Sequence, residues 1–303
     1  MKPVFVFSGQ GAQAVGMGKD LFEQSPAAAA IFKEADSILG WSVSDVCFNG
    51  PEEKLTESRY CQPAIYTMSS ACLAAFAEKK PDVKALASAG LSLGEFGALY
   101  AAGTFTFADG LRLVAKRAEL MDECCKKTKG GMATILGGDL AVIMETCQEC
   151  DIDVANLNCP GQVVVSGPED KITKAVAVFK EKGFRKVIPL KVAGAYHSRM
   201  MMDAGDALKP VLDGIPMKDP MIPVAQNYVG TCVQSVGEIR GNLVSQVAGS
   251  VKWEDCVRSI LATGADTIIE FGPGNVLTGL ARRISANVAT FNINSMDSVK
   301  NFV

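Results

Sequence analysis

The chain has 303 residues, 48% hydrophobic and 21% charged, a globular composition that excludes disordered and fibrous classes. Lys and Arg number 30 against 33 Asp and Glu, a net charge of −3, so there is no basic footprint for nucleic acid. The length predicts roughly two domains, or one large α/β domain with an insertion, and the composition includes a single histidine, His197.

The first residues carry one Lys and a short apolar run, too little for a secretory leader, and no stretch of about 18 apolar residues follows that would cross a membrane. A cytoplasmic location is expected. The ten cysteines are scattered, as in a protein whose thiols stay reduced. Cys147 and Cys150 form a lone C-x-x-C without the four ligands of a zinc site and read as buried small hydrophobes. Residues 3–7 predict a strand ending in the Gly-rich turn Ser8-Gly9-Gln10-Gly11, and the run 27–30 suits a helix. Residues 85–90 predict a second strand. Residues 93–102 follow with helix-spaced Leu93, Phe96, Leu99 and Tyr100 and stop at Gly103. A helix over 107–125 starts at a capping box, Thr106 to Asp109.

After the polar break at 126–131 the pattern changes. Strand 132–136, helix 140–149, strand 152–156, a turn at 158–161, strand 162–166, helix 169–182 and strand 184–190 give β-α-β-β-α-β, the ferredoxin-like order. In the second helix Ser166 is placed to cap, Pro168 sits near the first turn, Ile172, Ala175, Val176 and Phe179 form a stripe, and Gly183 ends it. A helical run with Met201, Ala204 and Leu208 comes next. Strand 267–271, the turn Gly272-Pro273-Gly274 and helix 276–284 then restore the strand–helix alternation of a parallel sheet. The expected organisation is a large α/β body from residues 1–126 and 194–303, with a small subdomain, 127–193, inserted.

Three residues carry potential chemistry. Gly90-Leu91-Ser92-Leu93-Gly94 is a G-x-S-x-G between a strand and a helix, the form of a nucleophile elbow; a tight turn without chemistry is the alternative. A serine hydroxyl needs a base, and only His197 can supply an imidazole. It lies between the strand ending near Leu190 and the helical run after it, where a helix N-terminus would keep the ring neutral; a purely structural histidine is the alternative. On the 107–125 helix, Arg112, Lys116, Glu119, Asp122, Glu123 and Lys126 share one face, whereas Arg117 points among Leu113, Val114, Leu120, Met121 and Cys124. A buried guanidinium keeps its proton and needs an anion. That anion is either one of the protein's own carboxylates or a substrate carboxylate or phosphate gripped by the planar fork.

With these residues in place, the chain resembles the malonyl-CoA:acyl carrier protein transacylase (malonyltransferase) family nearly end to end. The matching marks are Phe7-Ser8-Gly9-Gln10-Gly11, Gly50-Pro51-Glu52-Glu53-Lys54-Leu55, Gln62-Pro63-Ala64, Gly90-Leu91-Ser92-Leu93-Gly94-Glu95, and the Arg117 helix. Further along are Asn156-Leu157-Asn158-Cys159-Pro160-Gly161-Gln162, Tyr196-His197-Ser198, Gln246 with Trp253, and Gly272-Pro273-Gly274. The resemblance implies an α/β-hydrolase-like parallel-sheet body with an inserted ferredoxin-like subdomain, in agreement with the order of elements above.

The same resemblance implies Ser92 as nucleophile, His197 as base, and the backbone N–H groups of Leu93 and Gln10 as the oxyanion hole. It further implies that the Gln246 backbone carbonyl orients the histidine, that Arg117 pairs with the malonyl carboxylate and that Asn156 contacts substrate. The implied reaction is ping-pong malonyl transfer from malonyl-CoA to the phosphopantetheine thiol of holo acyl carrier protein, in fatty-acid or polyketide synthesis. A monomer with no metal and no tightly bound cofactor is implied. The chain departs from the family pattern at Leu91, where the family has His, and at Ser8 and Ser250, where prolines are common; Leu91 bears on rate and acyl preference. Because carrier proteins are acidic, Lys182, Arg185, Lys186, Lys191 and Arg199 form a candidate docking face. A serine thioesterase or esterase, and an inactive carrier-protein-binding scaffold, are the competing functions. An arginine on an apolar face suits an acyl group that ends in a carboxylate and does nothing for a lipid ester.

Overall fold

The computed structural model describes residues 1–302. Its strands are β1 (Pro3–Phe7), β2 (Ser88–Gly90), β3 (Gly130–Leu136), β4 (Asp153–Cys159), β5 (Gln162–Pro168), β6 (Lys186–Pro189), β7 (Val224–Gln226), β8 (Thr231–Val233), β9 (Thr267–Phe271) and β10 (Ala289–Ile293). All five residues of β1 are buried, and a strand apolar on both faces needs cover on both sides, which the interior of a helix-covered parallel sheet provides. β1 accordingly sits inside a six-stranded sheet of order β10-β9-β1-β2-β7-β8. Every pairing in it is parallel except the β7–β8 hairpin at one edge. Helices cover both faces, among them the buried helix Ser58–Lys79 and the amphipathic helix Phe107–Lys127.

The second sheet, β4-β5-β3-β6, is antiparallel throughout. In its own chain order this is the 4-1-3-2 arrangement of a ferredoxin-like unit, with helices Leu140–Glu149 and Glu169–Glu181 over a core of Ile135, Ile143, Cys147, Val163, Val165, Ile172 and Phe179. Val251 ties this sheet to the large body: its N–H bonds Ala155 O at 2.8 Å and its carbonyl accepts from Leu157 N at 2.9 Å. No helix among the described residues is long and apolar enough to cross a membrane.

Local details differ from the expectation. The regular strand expected at 85–90 is confined to Ser88–Gly90, although Leu86 N–H already bonds Pro3 O at 2.8 Å. Ser166 does not cap a helix. It lies inside β5 opposite Met132 and Asp153, because that strand runs on to Pro168, and the helix then starts at Glu169 without a side-chain cap. The Thr106 hydroxyl accepts the Asp109 N–H at 3.1 Å but donates its own proton to the Asp109 carboxylate at 2.7 Å, so only half of the capping box forms.

Candidate active site

The parallel strands β1, β2, β7 and β9 deliver their C-terminal ends to one edge of the sheet, where open α/β sheets place their ligands. Ser92 follows β2 directly, Gln10 follows β1, and Asn227 follows β7. Ser92 has φ +54°, a left-handed conformation costing a non-glycine residue of order 1 kcal/mol or more. Its neighbours show why the turn needs glycine. A Cβ on Gly90 would fall 1.9 Å from the Gly94 carbonyl carbon and oxygen, and one on Gly94 would fall 2.1 Å from Phe7 O. Asn227 holds the turn: its side chain accepts from Ser92 N at 2.6 Å and donates to Gly90 O at 2.8 Å.

His197 also has positive φ, +55°, and is buried. Its Nδ1 is 2.9 Å from Gln246 O. A backbone carbonyl only accepts, so Nδ1 carries the proton and Nε2 is left as the acceptor. Nε2 lies 2.7 Å from Ser92 Oγ, within reach for removing the hydroxyl proton. Burial and the nearby Arg117 charge lower the imidazole pKa to about 4, which keeps the ring neutral. A helix does begin just after His197, the 3-10 turn Arg199–Met201 running straight into the α-helix Met202–Gly214, but the lowering comes first from desolvation and then from the Arg117 charge.

Arg117 is 1% exposed and, among the described residues, makes no ion pair within 4 Å. Nη1 donates to Gln62 Oε1 at 2.7 Å, Nη2 to Ser92 Oγ and Gln246 Oε1 at 3.0 Å each, and the Nε proton has no partner. Its guanidinium also lies 5.8 Å from the Phe96 ring centre. Of the two readings open at Arg117, the internal salt bridge is therefore absent among the described residues. Burial pulls its pKa down to about 10, with Glu95 opposing, so it remains a cation beside the serine.

A cavity of about 350 Å³ opens over Ser92 and His197, walled by Arg117 and Gln10 from the large body and by Asn156 and Asn158 from β4. Among the described residues, the N–H groups of Gln10 and Leu93 have no acceptor within the chain. The Gln10 side chain is tethered, donating to Ser58 Oγ at 3.1 Å and accepting from Gln62 Nε2 at 3.3 Å. Of the expected basic face, Arg199 is taken up by Asp151 and Asp153, and Lys182 bonds Glu149 at 2.6 Å. That leaves Arg185, Lys186 and Lys191 exposed and, among the described residues, outside any ion pair, with Lys191 at the cavity wall.

A family model for the acyl transferase domain matches residues 4–293. The malonyl CoA-acyl carrier protein transacylase of Bacillus subtilis (strain 168) is 38% identical over 99% of this chain and 95% of its own length. This chain belongs to the malonyl CoA-acyl carrier protein transacylase family. An acyl-carrier-protein-S-malonyltransferase from Bartonella henselae superposes with a TM-score of 0.94 at 35% identity, over 99% of this chain and 98% of that one. A malonyl-transacylase in complex with its holo type II PKS acyl-carrier protein gives 0.95 at 35% identity, over 99% and 98%.

Within this transacylase, both serines at proline positions have found acceptors. Ser8 Oγ donates to Pro273 O at 3.0 Å, and Ser250 Oγ to Val154 O at 2.5 Å. Leu91 is half-buried and lines the cavity beside Ser92. Four groups join the site without having been expected there: Glu95, Gln62, Asn227 and the side chain of Gln246. Glu95 left a readable signal, being the only charged residue between Lys84 and Asp109. Asn227 left none, since an Asn after a short strand looks like any turn residue.

Proposed function

We propose that this protein transfers malonyl groups from malonyl-CoA to the phosphopantetheine thiol of a holo acyl carrier protein, through a malonyl ester on Ser92. The observation that carries the reading is Arg117: a fully buried guanidinium that has, among the described residues, no carboxylate partner and a free Nε–H, with Nη2 3.0 Å from the Ser92 hydroxyl. An acyl group whose thioester carbon meets Ser92 Oγ and whose far end is a carboxylate supplies the missing anion.

In this mechanism His197 Nε2 takes the Ser92 proton as Oγ attacks the thioester carbon. The N–H groups of Gln10 and Leu93 receive the oxyanion, a contribution of about 3–4 kcal/mol for each donor. The tetrahedral intermediate collapses by breaking the C–S bond, and the CoA sulfur leaves with the proton held on His197. The carrier-protein thiol then gives its proton to His197 and attacks the ester, and the proton returns to Ser92 Oγ. A neutral histidine oriented by a backbone carbonyl suits these steps, because it starts each half-reaction uncharged. Residues 127–193 act as the subdomain that roofs the site, and Arg185, Lys186 and Lys191 offer an acidic carrier protein a docking charge. All of the chemistry falls to side chains and backbone of this chain, with malonyl-CoA as substrate and no resident cofactor.

Intact-mass measurement after mixing with malonyl-CoA tests the reading. One malonyl group is expected on the wild type and none on Ser92→Ala, and holo carrier protein is expected to take the group off. Loss of the adduct to water at the same rate with and without carrier protein would instead favour a thioesterase; no adduct at all would favour a scaffold.

A further inference from the structure

Behind Arg117 and Ser92 lies a buried carboxylate that the mechanism above does not use. Glu95, in the first turn of the helix Gly94–Ala101, is completely buried. Every hydrogen bond at its carboxyl group is donated to it: Gln226 Nε2 at 3.0 Å, Asn227 N at 2.7 Å and Gln246 Nε2 at 3.1 Å. A site furnished with three N–H donors and no acceptor is built around the ionised form. Burial pushes the carboxyl up to about 7, while those donors and the Arg117 charge pull the other way.

Gln246 stands between the two charges. Its Nε2 protons go to Glu95 and, at 3.0 Å, to the Ser92 carbonyl, so its Oε1 is the end left for Arg117. The amide therefore has one satisfactory orientation. Two acceptor-only groups lie on its nitrogen side and a donor-only guanidinium on its oxygen side, and turning it over would break all three bonds. The Gln246 backbone carbonyl, which holds His197, is a separate group and does not depend on which way the side chain faces.

We propose that Glu95 is a positioning residue for acyl selection: its carboxylate fixes the orientation of the Gln246 amide, and that amide holds the Arg117 guanidinium against Ser92, where a substrate carboxylate is read. Glu95 does this without touching substrate. The inference rests on the malonyl reading above and adds what keeps the arginine in place. A group that only supported the fold would act on every acyl donor alike. Glu95 acts on acyl choice through Arg117, so its loss falls more heavily on malonyl than on acetyl, which has no carboxylate to read.

The test is the rate of Ser92 loading, followed by intact mass, with malonyl-CoA and with acetyl-CoA. Glu95→Gln keeps the volume but turns one acceptor into a donor. It is expected to lower the malonyl-to-acetyl loading ratio at least about tenfold, and to have no further effect on that ratio when Arg117 is already Ala. If Glu95→Gln fails to fold, Gln246→Met decides, because it keeps the backbone carbonyl for His197 and deletes the amide with its bonds to Glu95, Arg117 and the Ser92 carbonyl; the same fall in ratio is expected. An unchanged ratio in the folded variant, an equal loss for both acyl groups, or an effect additive with Arg117→Ala would overturn the proposal while leaving the malonyl reading intact. A wild type that takes up no malonyl would sink both.

Discussion

At the strand ends of the large body, Glu95, Arg117, His197, Asn227 and Gln246 are all at most 5% exposed, and their polar atoms are joined to one another across 49 to 151 residues of chain. In the small antiparallel sheet the charged groups stay at the surface. Lys171 pairs with Asp151, Lys182 with Glu149 and Arg199 with Asp153, and the core beneath them is made of aliphatic and aromatic side chains with one cysteine, Cys147. Exposed pairs contribute between zero and about 1 kcal/mol each, whereas removing one partner from a buried charged network costs about 3–5 kcal/mol. The body has spent stability on a fixed arrangement of charge around a serine, and the small sheet carries no such burden.

Substitutions can break or sharpen that contrast. The largest effect is expected at the elbow. Gly90→Ala puts a Cβ 1.9 Å from the Gly94 backbone, with no flexible side chain there to give way. A loss of more than about 4 kcal/mol in urea unfolding is expected; a stable, active Gly90→Ala protein would show that the turn is not as tight as the close approach implies. A smaller, pH-dependent effect belongs to His197. Its folded-state pKa is lowered to about 4, against an ordinary value of about 6.5 in the unfolded chain. Between these values the unfolded state binds the proton and the native state does not, so His197 takes stability away as pH falls from about 6.5 towards 4. Comparing wild type with His197→Gln isolates this contribution. The wild type should lose about 3 kcal/mol more than the variant over that window, and parallel curves would contradict the buried, neutral imidazole. The smallest effect is expected in the small sheet, where Lys171→Ala should change stability by less than about 0.5 kcal/mol. A loss comparable to that at a buried site would erase the contrast.

The same contrast explains which parts of the molecule are readable in the sequence. The small subdomain follows simple rules: helix stripes such as Ile172, Ala175 and Phe179 stand apart from polar turns, and its element order can be written down directly. Ser166 reads as a cap and is a strand residue instead, because β5 continues three residues beyond its apolar run, Val163 to Val165. In the large body, β7 and β8 are three residues each, too short to show any period; sheet position, decided by contacts with distant strands, makes them strands. Among site residues, Ser92, Arg117 and His197 stand out because each breaks a local expectation: a serine between glycines, a cation on an apolar stripe, a lone imidazole. Gln62, Gln246 and Asn227 break none. Uncharged amides are common in turns and on helices, and their roles exist only once the fold brings Glu95, Arg117 and Ser92 within hydrogen-bond reach of them.

The central claim is that the unpaired charge of Arg117 reads a carboxylate on the acyl group delivered to Ser92. The most direct measurement is the loading rate of Arg117→Ala with malonyl-CoA and with acetyl-CoA, each followed by intact mass. Deleting a bidentate, charge-assisted grip on the substrate from a buried site predicts malonyl loading reduced about 100-fold or more, with acetyl loading unchanged or raised. Equal loss for both acyl groups would contradict the claim and make Arg117 a support for Ser92 alone.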